Sequence, residues 1–356
     1  MEDFTYFKEL ANLNGIAGHE KQVRGYMKKE LIKYSDEIVQ DKLGGVFGIK
    51  KGGVGPTIMI AGHMDEVGAM VVGITDHGFI KMLAIGGLNP EVLVSQNVQI
   101  TIDNNKTIAG VVGAIPPHMA RNSEKKEISF DSLLLDIGAD SKEHAIAMGV
   151  KVGQQITPVN YFYFTEDGKK IVSKAWDDRV GCAMALEVMK EISNIKHPNT
   201  VVAGGTVQEE VGLRGAKVAS TMIAPDLFLA VDVSPVGDFL PKDDVNANGK
   251  LGGGFLVRYY DPRCIMNPEI FQYFEKLAQK NNISFQYFKS TGGTDAAEAQ
   301  YAGTGTLSTT VGVPGRYIHS TATMIHVDDL KAVKDMLIAI IKDFNKERFQ
   351  ELLGHE

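Results

Sequence analysis

Two histidines and a set of carboxylates stand at or just beyond the ends of apolar, strand-like runs, where side chains from separate segments can meet. The runs are Pro56-Thr-Ile-Met-Ile-Ala-Gly-His63-Met-Asp65, Thr200-Val-Val-Ala-Gly-Gly-Thr-Val-Gln-Glu209-Glu210, Leu227-Phe-Leu-Ala-Val-Asp232 and Thr306-Leu-Ser-Thr-Thr-Val-Gly-Val313, the last followed by His319. Trp176-Asp177-Asp178 instead opens a helical pattern. Imidazoles and carboxylates brought to one edge make a mixed nitrogen and oxygen ligand set suited to divalent zinc, cobalt or manganese. The pattern points to a metallohydrolase.

Each segment also has a plainer reading. His63 and Asp65 lie two apart, so on an extended segment both point to one side, and Asp65 suits the carboxylate that fixes the tautomer of a metal-bound imidazole. A strand-end histidine held by a local turn is the alternative. Glu209 and Glu210 repel one another unless one meets a cation; facing different ways, one would bind metal while the other handles a proton. Exposed loop glutamates would look the same. Asp177 and Asp178 suit helix capping as well as ligation. Asp232 ends an apolar strand, where an unpaired carboxylate is costly.

The elements that must position these groups follow from the hydrophobic pattern. Short apolar runs alternating with helical segments read as buried parallel strands of an α/β sheet, and ligands collect outside the carboxyl ends of such strands. Helices are expected over 4–13, after a loop at 14–20 on to about 34, and over 141–148, 179–192, 213–223, 268–281 and 327–344. Asn267 before Pro268 is a start signal, since the missing N–H of proline falls where no intrahelical partner exists. Between 67 and 173 the pattern becomes strands and turns, with signals at Thr75-Asp-His-Gly78, Asp103-Asn-Asn-Lys106 and Glu166-Asp-Gly-Lys169. The expected domains are therefore 1–66 and 174–356, forming one catalytic unit, with an all-β insert at 67–173 between them.

Composition bounds the partners. A chain of 356 residues is long for one core, and 44% hydrophobic content is ordinary globular composition. No apolar stretch approaches the ~20 residues that span a bilayer, so no membrane partner is expected. The acidic start Met1-Glu-Asp-Phe lacks a secretory pattern, and the two cysteines, Cys182 and Cys264, belong to no metal-spacing motif. A reduced cytoplasmic setting is expected, with both cysteines as packing residues. The net charge of −7 argues against nucleic acid, leaving a peptide or small molecule.

At these segments the chain resembles the M42 family of metallo-aminopeptidases, nearly end to end. The resemblance is carried by Gly62-His-Met-Asp-Glu-Val-Gly68, Trp176-Asp-Asp-Arg179, Val207-Gln-Glu-Glu-Val-Gly-Leu-Arg-Gly-Ala216, Val231-Asp-Val-Ser-Pro-Val-Gly-Asp238, Gly292-Gly-Thr-Asp-Ala296 and Arg316-Tyr-Ile-His-Ser320. Through Val257-Arg-Tyr-Tyr-Asp-Pro262 it is most similar to the glutamyl aminopeptidases of Gram-positive bacteria. The resemblance implies a mixed-sheet α/β catalytic domain interrupted by a β-rich, barrel-like dimerisation domain, and a homo-oligomer that is a tetrahedral dodecamer. It implies two divalent ions per subunit, zinc, cobalt or manganese: one on His63, Asp177 and Asp232, the other on Asp177, Glu210 and His319, with Asp177 bridging. Glu209 is then the general base, Asp65 the other catalytic carboxylate, behind His63, and the implied activity is removal of N-terminal residues, preferably Glu or Asp, from peptides.

An acidic first side chain calls for a positive pocket. Arg258 offers a planar fork that pairs bidentately with a carboxylate, and Lys289, beside the Gly292-Gly293 turn, offers a point charge. Arg258 equally fits the solvent-facing member of its strand. Gly292-Gly-Thr294-Asp295 reads by itself as a glycine-rich turn capped into the next helix, and Trp176 as packing, with direct substrate contact the alternative for each. Three other functions compete: a broad or leucyl-type aminopeptidase, a glycoside hydrolase, and a structural oligomer whose metals hold the fold. Glycoside hydrolysis by Glu209 and Glu210 needs carboxyls ~5–9.5 Å apart and no metal, which leaves His63, Asp232 and His319 without a role.

Overall fold

A computed structural model describes residues 3–103, 106–113 and 128–354. The apolar runs pair into an eleven-stranded mixed sheet, and the insert into a closed barrel. In chain order, β1 (Glu37–Gln40), β2 (Val46–Lys51) and β3 (Thr57–His63) come first. The barrel strands follow: β4 (Gly68–Ile74), β5 (Ile80–Ile85), β6 (Asn97–Thr101), β7 (Thr107–Val112), β8 (Leu134–Asp136) and β9 (Gln155–Pro158). Then come β10 (Tyr163–Phe164), β11 (Lys170–Ser173), β12 (Thr200–Thr206), β13 (Leu227–Pro235), β14 (Phe255–Tyr260), β15 (Phe285–Lys289), β16 (Leu307–Arg316) and β17 (Thr323–His326). The large sheet is ordered β1-β2-β12-β3-β13-β16-β17-β11-β10, with β14 pairing both β16 and β15. Its central strands β12, β3, β13 and β16 are mutually parallel, as their unbroken apolar runs require, so their carboxyl ends open on one edge.

The helices are α1 (Thr5–Asn12), α2 (Lys21–Leu31), α3 (Lys142–Ala147), α4 (Trp176–Ile192), α5 (Arg214–Ile223), α6 (Pro268–Lys280), α7 (Ala296–Ala299), α8 (Val327–Asp343) and α9 (Lys346–Leu353). At the start of α6 the Asn267 side chain accepts from Glu269 N at 2.7 Å, with Pro268 in the first turn, as its sequence predicts. No helix among the described residues is long and apolar enough to cross a membrane.

Helix α4 is buried on nearly every side, its charged residues Asp177, Asp178, Arg179 and Glu187 included, as befits a helix held inside a layer. Its start lies flush on the sheet because two glycines allow backbone to meet backbone. A Cβ on Gly62 of β3 would stand 2.4 Å from Cys182 N, and one on Gly181 of α4 would stand 2.1 Å from the Val231 carbonyl. Any side chain at either position would push the Asp177 end of α4 away from His63.

The barrel closes in the order β4-β5-β8-β7-β6-β9, every pair antiparallel, around its own apolar core. The insert ends earlier than its strand-and-turn pattern suggests. β10 and β11 return to the large sheet, where Lys170–Ser173 pairs with β17 from His326 back to Thr323. A two-fold apolar alternation does not reveal which sheet a strand joins, and the partner of β11 lies far along the chain. The expected turn at Asp103-Asn-Asn-Lys106 has its central residues outside the described ones.

Candidate active site

Register puts the chemistry in line. β3 and β13 last pair with each other at Ala61 and Ala230, and His63 and Asp232 each follow two positions later, on equivalent faces. Thr206 of β12 lies opposite His63, and the chain beyond it turns through Gln208, at φ 56°, into Glu209 and Glu210. His319 sits beyond β16 at φ 57°, after Tyr317 at φ 65°. Left-handed backbone at three non-glycine residues in two loops is strain of the kind that collects at functional sites.

Asp177 and Asp178 divide the two roles their sequence left open. Both have non-helical backbone angles, so their side chains diverge. Asp178 caps: one oxygen accepts from Gly181 N at 2.9 Å, the other from His63 N at 3.0 Å. Asp177 faces both imidazoles, Oδ1 at 3.0 Å from His63 Nε2 and Oδ2 at 3.2 Å from His319 Nε2. His319 Nε2 is also 3.5 Å from Glu210 Oε2, and His63 Nε2 is 3.7 Å from Glu209 Oε2. His63, Asp177 and Glu210 offer ligand atoms all within 4.8 Å of one another, and so do His63, Glu209 and Asp232.

Asp65 supports this cluster in a way that differs from its expected part. The acceptor at His63 Nδ1 is the Asp65 backbone carbonyl, at 3.0 Å, while its carboxylate stands 3.6 Å away. The carboxylate instead grips the neighbouring loop, Oδ1 accepting from Glu209 N and Oδ2 from Glu210 N, each at 3.1 Å. Glu20 secures the residue before them, accepting from Gln208 N at 3.1 Å.

The specificity candidates lie apart. Arg258 is buried, not solvent-facing: its guanidinium is 3.3 Å from Asp261 Oδ2, 3.4 Å from Ser234 Oγ, and donates to the Gly292 carbonyl. Lys289 is exposed on a cleft of about 330 Å³, lined by Pro235, Val236, Tyr317 and Ile318 among others. Two of its lining residues are near the cluster in sequence: Pro235 follows Asp232 by three residues and Ile318 precedes His319.

Sequence reasoning missed two groups. Asp295 precedes α7 without capping it; its side chain accepts from Thr206 Oγ1 at the end of β12, leaving Oδ1 without a partner among the described residues. Glu66 forms a buried ion cluster with Lys174, 2.8 Å away, and with Arg179, 3.1 Å away, which also binds the Leu10 and Leu13 carbonyls. The Glu66-Val67 and Arg179 positions inside the quoted motifs were the available signal.

The electrostatics call for a cation. Carboxylates of Asp65, Asp177, Asp178, Asp232 and Asp295 are buried beside Glu209 and Glu210, against two imidazoles. Burial, then the nearby Asp177 charge, pushes Glu210 up to about 8 and Asp232 up to about 7. Burial likewise lifts Glu209 well above the usual carboxylate range, partly offset by His63. Burial would raise Asp177 too, but hydrogen bonds from His319 and His63 hold it far below that range. Burial lowers His319, yet Asp177 and Glu210 bring it up to about 9. Among the described residues Glu210 Oε1 has no hydrogen-bond partner. Around a tetrahedral zinc ion with ~2.0–2.2 Å bonds, donor atoms lie about 3.3 Å apart. The 3.0, 3.2 and 3.5 Å separations about Asp177 and His319 fit that spacing.

The family model of the M42 glutamyl aminopeptidases matches residues 44–336. The chain belongs to the M42 peptidase family. It is an aminopeptidase of a metal-dependent family, with the mixed-sheet catalytic domain and inserted barrel of that fold. Across its whole length it is 38% identical to the glutamyl aminopeptidase of Lactococcus lactis subsp. cremoris, covering all of both chains. Among solved structures it resembles a TET aminopeptidase from a marine sediment archaeon of the Thaumarchaeota: TM-score 0.94, 34% identity, 98% of this chain and 99% of that one. It also resembles the Pyrococcus horikoshii TET1 peptidase, which assembles into a tetrahedron or a large octahedral shell: TM-score 0.85, 29% identity, 96% and 99% covered.

Proposed function

We propose that this M42 aminopeptidase removes acidic N-terminal residues, Glu or Asp, from peptides with the help of two divalent cations. His63, Asp177 and Asp232 would hold one and Asp177, Glu210 and His319 the other. The observation that carries this reading is Asp177, whose two oxygens face the two imidazoles at 3.0 and 3.2 Å. Bound zinc, cobalt or manganese supplies Lewis acidity toward the scissile carbonyl and acidifies a water.

The side chains supply the rest. Glu209 takes a proton from the attacking water and passes it to the leaving amine, a task that suits a carboxyl lifted by burial toward the working pH. Asp65 holds the Glu209 and Glu210 amides so that the two carboxylates keep separate directions. Burial around the cluster excludes bulk water and strengthens each of these interactions.

The cleft beside His319 takes the first side chain. Lys289 on its wall supports a preference for an acidic residue, as does the likeness to the Lactococcus enzyme. Arg258 contributes indirectly, steadying the Gly292 turn through its carbonyl.

The barrel joins copies of the chain. Val72, Leu83, Val111, Ile146 and Val152 are exposed on the insert, apolar surface that association would cover, and the likeness to the tetrahedral TET1 peptidase supports a dodecamer.

Chromogenic Glu, Asp, Leu and Lys substrates, assayed with zinc, cobalt or manganese, test the reading. Glu and Asp turned over fastest support it. Leu fastest moves the enzyme to the broad or leucyl type, and glycoside cleavage insensitive to chelators would replace the peptidase chemistry altogether.

A further inference from the structure

The barrel touches the cation-binding cluster at the turn after β5, Gly86-Gly87-Leu88. Leu88 is buried in the barrel core, which fixes the turn, and the glycines lie against side chains of the catalytic domain. A Cβ added at Gly86 would stand 3.1 Å from Glu210 Oε2. One added at Gly87 would stand 2.8 Å from His319 Nδ1, closer than a real Cβ sits, and 3.1 Å from its Cε1, tighter than most. Gly86 has φ +81°, which favours glycine by itself; Gly87 is not left-handed, so only its neighbour demands the missing side chain.

The two imidazoles are restrained differently. His63 is 3% exposed, and its Nδ1 meets the Asp65 carbonyl at 3.0 Å. His319 is 36% exposed in a left-handed loop, with Asp177 and Glu210 at Nε2. Among the described residues no hydrogen bond reaches its Nδ1. Behind that nitrogen lies the bare backbone of Gly87.

The geometry points to Gly87 as a positioning residue for His319. The Gly86-Gly87 backbone is the wall that sets the imidazole against Asp177 and Glu210. The barrel thereby governs the cation held by those three side chains and leaves the one held by His63 and Asp232 alone. The inference rests on the proposal that both sets bind cations. Ligand distances tolerate only about 0.2 Å, and an alanine methyl at 2.8 Å moves the ring by more than that. Disturbing the groups behind a metal ligand typically lowers affinity ~10–100-fold.

The test uses full-length protein stripped by chelator and titrated with zinc alone, read by calorimetry and by metal per subunit after gel filtration. Gly87→Ala is expected to keep one equivalent at wild-type affinity and weaken the other ~10–100-fold. Gly73→Ala, also in the barrel, meets only the Lys81 side chain at 3.6 Å or more and should leave both equivalents unchanged. In a His319→Ala background, Gly87→Ala should have no further effect, since the ring it displaces is gone. Leu88→Ala, which loosens the turn without adding a methyl, should also weaken one equivalent selectively. Wild-type affinity for both equivalents in Gly87→Ala and Leu88→Ala, or an equal Gly87→Ala loss without His319, overturns the inference. Wild-type protein that takes up no zinc overturns the cation reading beneath it.

Discussion

Asp65→Asn is the sharpest probe of how the cluster is assembled. Each carboxylate oxygen accepts from one backbone amide, Glu209 N or Glu210 N, at 3.1 Å. An asparagine offers a single oxygen, so in either orientation its NH₂ confronts one of those N–H groups. One charge-assisted bond becomes neutral, and the other is replaced by two donors facing each other in a buried setting. Turning a charge-assisted bond of about 1.5–3 kcal/mol into a neutral one of about 0.5–1.5 kcal/mol loses about 1 kcal/mol, and an unsatisfied buried donor costs about 1–3 kcal/mol, so the loop loses about 2–4 kcal/mol of its hold on Glu209 and Glu210. At about 1.4 kcal/mol per decade this lowers kcat/KM by roughly thirtyfold to several hundredfold. The assay compares kcat/KM on a Glu substrate with metal content and with urea unfolding. His63 keeps its backbone acceptor, so the cation it helps hold should stay. A variant within threefold of wild type in kcat/KM would refute the reasoning.

Glu209→Gln should retain metal and lose about 10²- to 10⁴-fold in kcat, because the amide keeps the shape and cannot take the proton; Glu210→Gln should instead lose one metal equivalent, which elemental analysis reads directly. In metal-free protein Glu210, Asp232 and His319, at about 8, 7 and 9, hold protons at pH 6 that a cation must displace. Metal affinity should therefore rise from pH 6 to 9, with protons released near pH 7; calorimetry in buffers of different ionisation heat checks this, and proton uptake would contradict it. Lys289→Ala should lower kcat/KM for Glu substrates about tenfold more than for Leu substrates, whereas Arg258→Ala should lower both alike and reduce stability by leaving Asp261 buried without its cation.

The gathering of these residues was legible because they end apolar runs that a sheet buries. Once β3, β12, β13 and β16 are parallel neighbours, His63, Glu209, Asp232 and His319 have one edge to occupy. Other features depend on contacts between distant segments. Nothing local separates Asp177, which faces the imidazoles, from Asp178, which caps α4. Arg258 is the one charged residue of its strand Phe255–Tyr260, which suggests a solvent-facing side chain; Asp261 and the Gly292 carbonyl hold it inside. Asp295 reads as a cap but reaches Thr206, far away in sequence. Helix α9 was missed because Leu352 is its one fully buried residue, too little for an apolar period.

The central claim is that this cluster hydrolyses peptides only with cations bound. Its most direct test measures turnover of a Glu-linked substrate by protein dialysed against chelator, with metal per subunit measured on the same sample. The account predicts no turnover at zero metal and recovery as zinc, cobalt or manganese approaches two equivalents per subunit. Undiminished turnover by protein shown to hold no metal would contradict it.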